Sequence, residues 1–389
     1  MTTVEYASAL MGSGKTQEFI SSLDGERNIL FAAPTKKLGI DVNKRIGDTY
    51  QDHYHDSEVI NSDDKTNIPV RERIEKALTE GREGSVVIIT HNALLNIDPQ
   101  YLEGWEIVVD EVPEINLNEY KRVGANTYNT LFADLLDDGM EELVGICGIQ
   151  PHLKIKANDL YADAWRTENK AYTLILGGLL SDTAVVTKEI SKTDGGVTFL
   201  VHNYANYEPI IRNAKEFHIL GNAIEQSLFH LFVEAKGINI KESKYTPDFS
   251  GYKMPPTLVP MVEGNKFSKE MMMLRDDGVK GEEFDNKCWG FKIIDKALSY
   301  HADEKVLVQC FDWMKHKELI DKYPNAEFTK FDLRGVNSYS HFSRTVNIIH
   351  GNPEPIRGRM DAKLLDILGI DKEKGERAIR YFRYIENIS

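Results

Sequence analysis

Residues 9–16 read Ala-Leu-Met-Gly-Ser-Gly-Lys-Thr, and their chemistry is that of phosphate binding. Gly12 and Gly14 give the backbone the freedom to curl its N–H groups around phosphate oxygens. Met11 and Ser13 complete the loop. Lys15 is spaced to reach the β- and γ-phosphates, and the Thr16 hydroxyl to ligate Mg²⁺. This is the P-loop pattern, with Ala9 in the place of its first glycine. A chance Gly-Lys-Thr in a surface turn is the alternative, but the flanks speak against it. Residues 4–10 read as a buried strand and 16–23 as a helix, so a bound anion would meet a helix N-terminus.

A nucleotide site needs a second half. Residues 105–111, Trp-Glu-Ile-Val-Val-Asp-Glu, form an apolar strand that delivers two carboxylates at its C-terminal end. Asp110 can hold Mg²⁺ through water, and Glu111 can activate the attacking water. Many strands end in acidic turns. This one comes about 95 residues after the P-loop lysine, with strand–helix units between, and so reads as the partner of the loop.

A parallel sheet is needed to position these groups. Residues 28–33 read as a core strand running into Pro34-Thr35-Lys36-Lys37-Leu38 and a helix over 39–50. Residues 85–90, Ser-Val-Val-Ile-Ile-Thr, are β-branched and lead into Thr90-His91-Asn92 and another helix. That alternation is the α/β rhythm. Between them, 52–69 reads as a solvated polar loop and 70–80 as a helix. Residues 121–212 break the rhythm. A helix near 128–136 is followed by short alternating stretches at 153–156, 172–176, 184–190 and 197–202, with glycine turns, which reads as a small strand-rich insertion. A core strand at 216–220, the turn 221–227 and a helix over 225–234 resume the pattern. The irregular, proline-bearing stretch 238–256 is the expected domain boundary. Beyond it strands are expected at 257–262, 305–311, 327–331 and 345–349, and helices at 291–300, 313–322 and the charged end.

A chain of 389 residues suggests two to three domains. Cys147, Cys288 and Cys310 are scattered without CxxC spacing, which suggests reduced thiols in a cytoplasm and neither a disulfide frame nor a zinc site. No apolar run approaches the roughly 18 residues of a membrane helix. The first residues lead directly into a strand, so no signal peptide is expected. A net charge of −14 argues against coating nucleic acid through a uniformly basic surface, while leaving room for a local basic groove.

In order and spacing, these motifs resemble those of the superfamily 2 helicases and translocases, particularly phage-type DNA helicases with a DExx box. The match runs through 9–16, 34–38, 90–91 and 110–113, and more loosely through 221–227, 305–311, 334–337 and 375–380. The box reads Asp-Glu-Val-Pro, so Val112 and Pro113 lack the polar relay of the family. The resemblance implies an α/β fold with two RecA-like P-loop domains. Residues 1–120 and 213–253 would make the first, 121–212 its insertion, and 254–389 the second. It implies ATP and Mg²⁺ as cofactors in an interdomain cleft, with Gly335 beside the nucleotide. Arg377 or Arg380, three apart on a helix, would reach the γ-phosphate, with Arg334 as runner-up. Pro34, Thr35, Lys36, Thr90, His91, Asn337 and Ser338 would hold a nucleic-acid backbone without reading its sequence. The implied partner is single-stranded or branched DNA, with RNA left open, alongside phage replication or recombination proteins and without a membrane. Two other classes share the P-loop. A terminase-like packaging ATPase would add a nuclease's clustered carboxylates, which 291–389 lacks. A regulatory NTPase without turnover is opposed by the intact Lys15, Thr16, Asp110 and Glu111.

Overall fold

The computed structural model describes residues 2–10, 12–50, 57–64, 66–137, 144–249, 257, 259–260, 268–329, 341–348 and 355–388. The chain opens with β1 (Thr3–Ser8), α1 (Lys15–Ser21), β2 (Ile29–Ala33), α2 (Lys36–Tyr50), β3 (Ser57–Val59), α3 (Val70–Glu80), β4 (Val86–Thr90), α4 (His91–Leu94) and β5 (Glu106–Asp110). An intervening segment carries β6 (Glu119–Val123), α5 (Ala125–Thr127), β7 (Val144–Cys147), α6 (Lys154–Arg166), α7 (Lys170–Leu180), β8 (Val185–Ile190) and β9 (Val197–His202). Next come α8 (Glu208–Asn213), β10 (Glu216–Gly221), α9 (Leu228–Ala235) and β11 (Asn239–Glu242). The remainder holds α10 (Lys269–Met272), α11 (Trp289–Ser299), β12 (Val306–Gln309), α12 (Lys317–Lys322), β13 (Ala326–Thr329), β14 (Arg344–Asn347), α13 (Pro355–Leu368) and α14 (Lys372–Ile388).

Seven strands form one sheet in the order β11-β1-β10-β5-β2-β4-β3. Every neighbouring pair in it is parallel. Successive side chains of a strand face opposite sides, and both sides here are covered. Tyr6, Ile107, Val109, Phe217 and Ile219 join one core with Ile74 and Leu78 of α3 and Phe229 and Phe232 of α9. Ala7, Val108 and Leu220 face the other core, with Phe19 and Ile20 of α1 and Val42 and Ile46 of α2. Asp110 shares the parity of Val108, so its carboxylate falls on the side of α1. This is the expected α/β architecture with a RecA-like P-loop sheet. A smaller parallel sheet, β13-β12-β14, carries α11 through Phe291, Ile294 and Leu298.

The segment between β5 and β10 holds a four-stranded antiparallel sheet, β6-β9-β8-β7. Two stretches expected there as strands, 153–156 and 172–176, are instead parts of the helices beginning at Pro151 and Lys170. Residues 172–176 are a short apolar run in which a strand and a helix have the same signature, and 153–156, Leu-Lys-Ile-Lys, are too few for their alternation to tell the two apart. Tertiary packing decides for the helix in α7, whose Ile175 and Leu176 lie on Phe199 and Val201 of the sheet. Strands β3 and β11 lie inside stretches expected to be irregular. Each is a short edge strand with ladder bonds on one side only, and each carries few buried residues. Of the expected strand over 257–262, residues 257, 259 and 260 are described and lie in no strand, and the other three fall outside the described residues.

The helical pair α13–α14, expected to belong with the second sheet, packs on the first. Leu364, Leu365, Leu368 and Ile379 join the core that holds α3 and α9. Polar contacts fix the same pair. Asn116 Nδ2 donates to Asp361 Oδ1 at 2.7 Å, Arg357 donates to the Asn118 carbonyl at 2.5 Å, and Arg359 meets Glu189 at 3.0 Å. Among the described residues, no helix is long and apolar enough to cross a membrane.

Candidate nucleotide site

The loop after β1 takes its shape from two glycines. Gly12 and Gly14 have φ of +69° and +93°, the left-handed region that glycine enters without a steric penalty. A Cβ at either would meet nothing within 4 Å. The backbone angle, and not crowding, therefore demands glycine there. Gly14 caps α1, so Lys15 is its first helical residue. Lys15 Nζ donates to the carbonyls of Ala9 at 2.7 Å and Leu10 at 2.9 Å. Burial pushes its pKa down, while Asp110 and Glu111 pull it up. Ser13 Oγ is buried with no partner among the described residues.

Strand register brings the carboxylate to this loop. Ser8 pairs with Gly221, and Leu220 pairs with Asp110, so β10 alone separates the loop strand from β5. Thr16 Oγ1 donates to Asp110 Oδ2 at 3.0 Å and lies 3.2 Å from Oδ1. Burial raises the Asp110 carboxyl to about 6, against the Thr16 hydrogen bond and the charges of Lys15 and Arg45. Arg45 of α2, which also donates to Gln17 Oε1 at 2.8 Å, is a cation that the sequence did not single out. An arginine on an amphipathic helix carries no mark of such a role. A half-buried hydroxyl beside a buried carboxylate offers the hard oxygens that Mg²⁺ takes alongside phosphates. The glycine loop, Lys15 and the orphan Ser13 hydroxyl suit the phosphates themselves. The residues present therefore fit a Mg²⁺–nucleotide.

Glu111 follows with φ +65°, an uncommon angle for a residue with a side chain. Its N–H donates to the Leu220 carbonyl at 2.8 Å. The carbonyl before it, of Asp110, accepts from His91 Nε2 at 2.8 Å. The left-handed conformation costs about 1–2 kcal/mol. Each bond returns about 1 kcal/mol, so together they are of the size needed to hold it.

Strands β2 and β4 end at the same edge, with Ala33 paired to Thr90. Pro34, Thr35, Lys36, Thr90 and His91 thus leave the sheet beside the Asp110 strand. Thr35 Oγ1 accepts from Leu38 N–H at 3.2 Å, and Thr90 Oγ1 from Ala93 N–H at 3.3 Å, so both hydroxyls cap helices. Lys36 Nζ is held by Ser62 Oγ at 2.6 Å and Asp63 Oδ1 at 2.5 Å. His91 turns inward to Asp110. Arg377 and Arg380 are exposed on α14 and pair along the helix with Glu373 and, at 3.7 Å, Glu376. Among the described residues, neither bonds to the P-loop. Met11, Arg334, Gly335, Asn337 and Ser338 lie outside the described residues.

The opposite end of the same strands holds a polar network that the sequence reading missed. His218 Nε2 lies 3.2 Å from Glu216 and 3.4 Å from Glu106, and Nδ1 lies 2.9 Å from Ser243 Oγ. Lys241 meets Glu5 at 2.7 Å, Lys244 meets Glu216 at 2.7 Å and Arg27 meets Glu106 at 3.2 Å. Tyr245 also donates to Glu106. Glu5, Glu216 and His218 are close enough together to hold a metal ion. Each of the three carboxylates already has a cation, so the cluster reads as a structural clasp of β1, β5, β10 and the segment after β11. Its signal in the sequence is a charged or imidazole side chain set inside otherwise apolar strands.

No protein-family model and no curated protein matches the chain. Among solved structures, it is similar to that of S. tokodaii Xpd4, at 10% identity and a TM-score of 0.44, over 100% of this chain and 89% of that one. At that identity and score the likeness carries no functional weight.

Proposed function

We propose that this chain is an ATP-dependent nucleic-acid translocase or helicase, hydrolysing ATP at the group formed by Lys15, Thr16, Asp110 and Glu111. The observation that carries the reading is the Thr16 hydroxyl bonded to the Asp110 carboxylate, one strand away from a left-handed glycine loop. Lys15 exchanges its loop carbonyls for phosphate oxygens. Thr16 and Asp110 would hold Mg²⁺, which when bound neutralises charge on the phosphates. Glu111 orients the attacking water and takes its proton. Preference for ATP, a DNA track, a phage role in replication or recombination and a cytoplasmic setting rest on the motif resemblance. So do the domain limits 1–120 with 213–253, 121–212 and 254–389. Arg377, Arg380 and Arg334 are the candidates for completing the site from the second unit.

The test is Mg²⁺-dependent ATP hydrolysis with and without a single-stranded oligonucleotide. Glu111→Gln is expected to bind nucleotide normally and to lose turnover, because the carboxylate serves the water and not the phosphates. A wild-type rate in Glu111→Gln would overturn the assignment. Hydrolysis that ignores nucleic acid would instead favour a P-loop ATPase of another kind, and nucleotide binding without hydrolysis would favour the regulatory protein without turnover.

A further inference from the structure

The peptide joining Asp110 to Glu111 has two polar atoms, and both are held. Its carbonyl oxygen accepts from His91 Nε2 at 2.8 Å. Its N–H donates to Leu220 O at 2.8 Å. In the strand order β10-β5-β2-β4, these restraints come from opposite sides of β5. The imidazole reaches across the end of β2, where Pro34 has no N–H to extend the ladder. The Thr90 cap on Ala93 fixes the start of α4 and thus the base of the His91 side chain. Rotation of the 110–111 peptide would return Glu111 from φ +65° to the ordinary negative region and redirect its carboxylate. That rotation breaks both bonds together, so His91 guards the orientation of Glu111.

We propose that His91 is a positioning residue, which locks the Asp110–Glu111 peptide and transmits to Glu111 any displacement of the 90–92 turn when nucleic acid binds. The role in hydrolysis rests on the nucleotide reading above; the restraint on the peptide does not. It also gives His91 a task different from direct contact with a phosphate backbone.

Two measurements test it. In steady-state ATPase assays, His91→Ala lowers kcat about ten- to hundredfold, the size of a mispositioned catalytic group, with nucleotide affinity unchanged. His91→Gln, whose amide N–H can donate to the same carbonyl, recovers most of that loss. His91→Asn keeps a polar side chain that is too short and behaves like alanine, which covers the case of an unstable alanine variant. In nucleotide-free protein, hydrogen exchange at the Glu111 amide accelerates in His91→Ala and is restored in His91→Gln, while exchange elsewhere in β5 is unchanged. An absence of change in both kcat and exchange would overturn the positioning role. So would a His91→Ala protein that alters only the oligonucleotide concentration needed for stimulation. A wild-type protein without ATPase, whose Glu111 exchange still answers to His91, would sink the nucleotide reading and leave the positioning role standing.

Discussion

Asp110 is subject to opposed demands. In the proposed role it would hold a cation among phosphates, which requires a carboxylate in a site that excludes water, and burial there penalises that charge. A carboxyl raised to about 6 by burial records that conflict. Between the ordinary carboxylate pKa and about 6, the native protein binds this proton more tightly than the unfolded chain. Stability therefore falls as pH rises through that window, and the full penalty is felt above it. Replacing the charge should release the penalty. Asp110→Asn keeps an oxygen for the Thr16 hydroxyl and is expected to stabilise the metal-free protein by about 1–3 kcal/mol, at pH 8 with chelator. The same substitution should abolish Mg²⁺-dependent hydrolysis. Urea unfolding of the two proteins measures the first effect, and a less stable asparagine variant would show that the charge is compensated by more than Thr16, Lys15 and Arg45.

At the scale of elements, β1, β5 and β10 do different work at their two ends. Their C-terminal ends present the glycine loop, Asp110 and the 221–227 turn; nearer their N-terminal ends lie Glu5, Glu106, Glu216 and His218. Burial holds His218 below its ordinary 6.5, although Glu106, Glu5 and Glu216 pull it upward and Lys244 pushes it further down. Below that ordinary value the unfolded chain takes up a proton that the native imidazole refuses. The stability associated with neutral His218 is thus complete above 6.5 and drains away as pH falls. Glu216, held below its usual range in spite of burial by Lys244 and His218, adds a loss at more acid pH. His218→Asn should flatten the fall in Tm between pH 7.5 and 5.5, values chosen to span the ordinary histidine range. Parallel Tm–pH profiles for the two proteins would remove His218 from the clasp. Little of this network was legible beforehand, whereas the P-loop and the Asp110–Glu111 pair were. Phosphate chemistry demands a local order of letters, and parallel strands buried on both faces are unbroken apolar runs. Edge strands such as β3 and β11 lack that run. The direction of His91 was hidden for another reason: Thr-His after a strand is the same pair of letters whether the imidazole meets a phosphate or the Asp110 carbonyl. The ion pair that occupies Lys36 depends on where a distant loop places Asp63.

On the scale of the whole molecule, α13–α14 is tied back to the seven-stranded sheet that carries the glycine loop. Its two helices approach closely at Gly375, where a Cβ would meet Leu365 Cδ2 at 2.3 Å. Leu365 is itself 1% exposed and sits in the core shared with α3 and α9. Leu365→Ala should therefore cost about 2–5 kcal/mol, the range for an emptied leucine site in a core, and should lower the stability of the P-loop sheet. A cost under about 1 kcal/mol in urea unfolding would detach the helical pair from that core. The molecule's charge bears on its proposed track. At −14, most of the surface repels a phosphate backbone, so binding has to be confined to a few sites where cations and helix-capping turns meet the strand ends. Pro34, Thr35, Lys36, Thr90 and the 90–92 turn share such an edge with Asp110. Lys36 is held by Asp63, so a phosphate must compete with that carboxylate for it. Few counterions are then released on binding, and the salt dependence should be correspondingly modest. Stimulation of hydrolysis by a single-stranded oligonucleotide should decline from about 50 to 200 mM salt with a slope of only a few phosphate contacts. Asp63→Asn should free Lys36, steepen that slope and lower the oligonucleotide concentration needed. If Asp63→Asn leaves both quantities unchanged while the wild type is stimulated, the track runs elsewhere and Lys36 belongs to the fold.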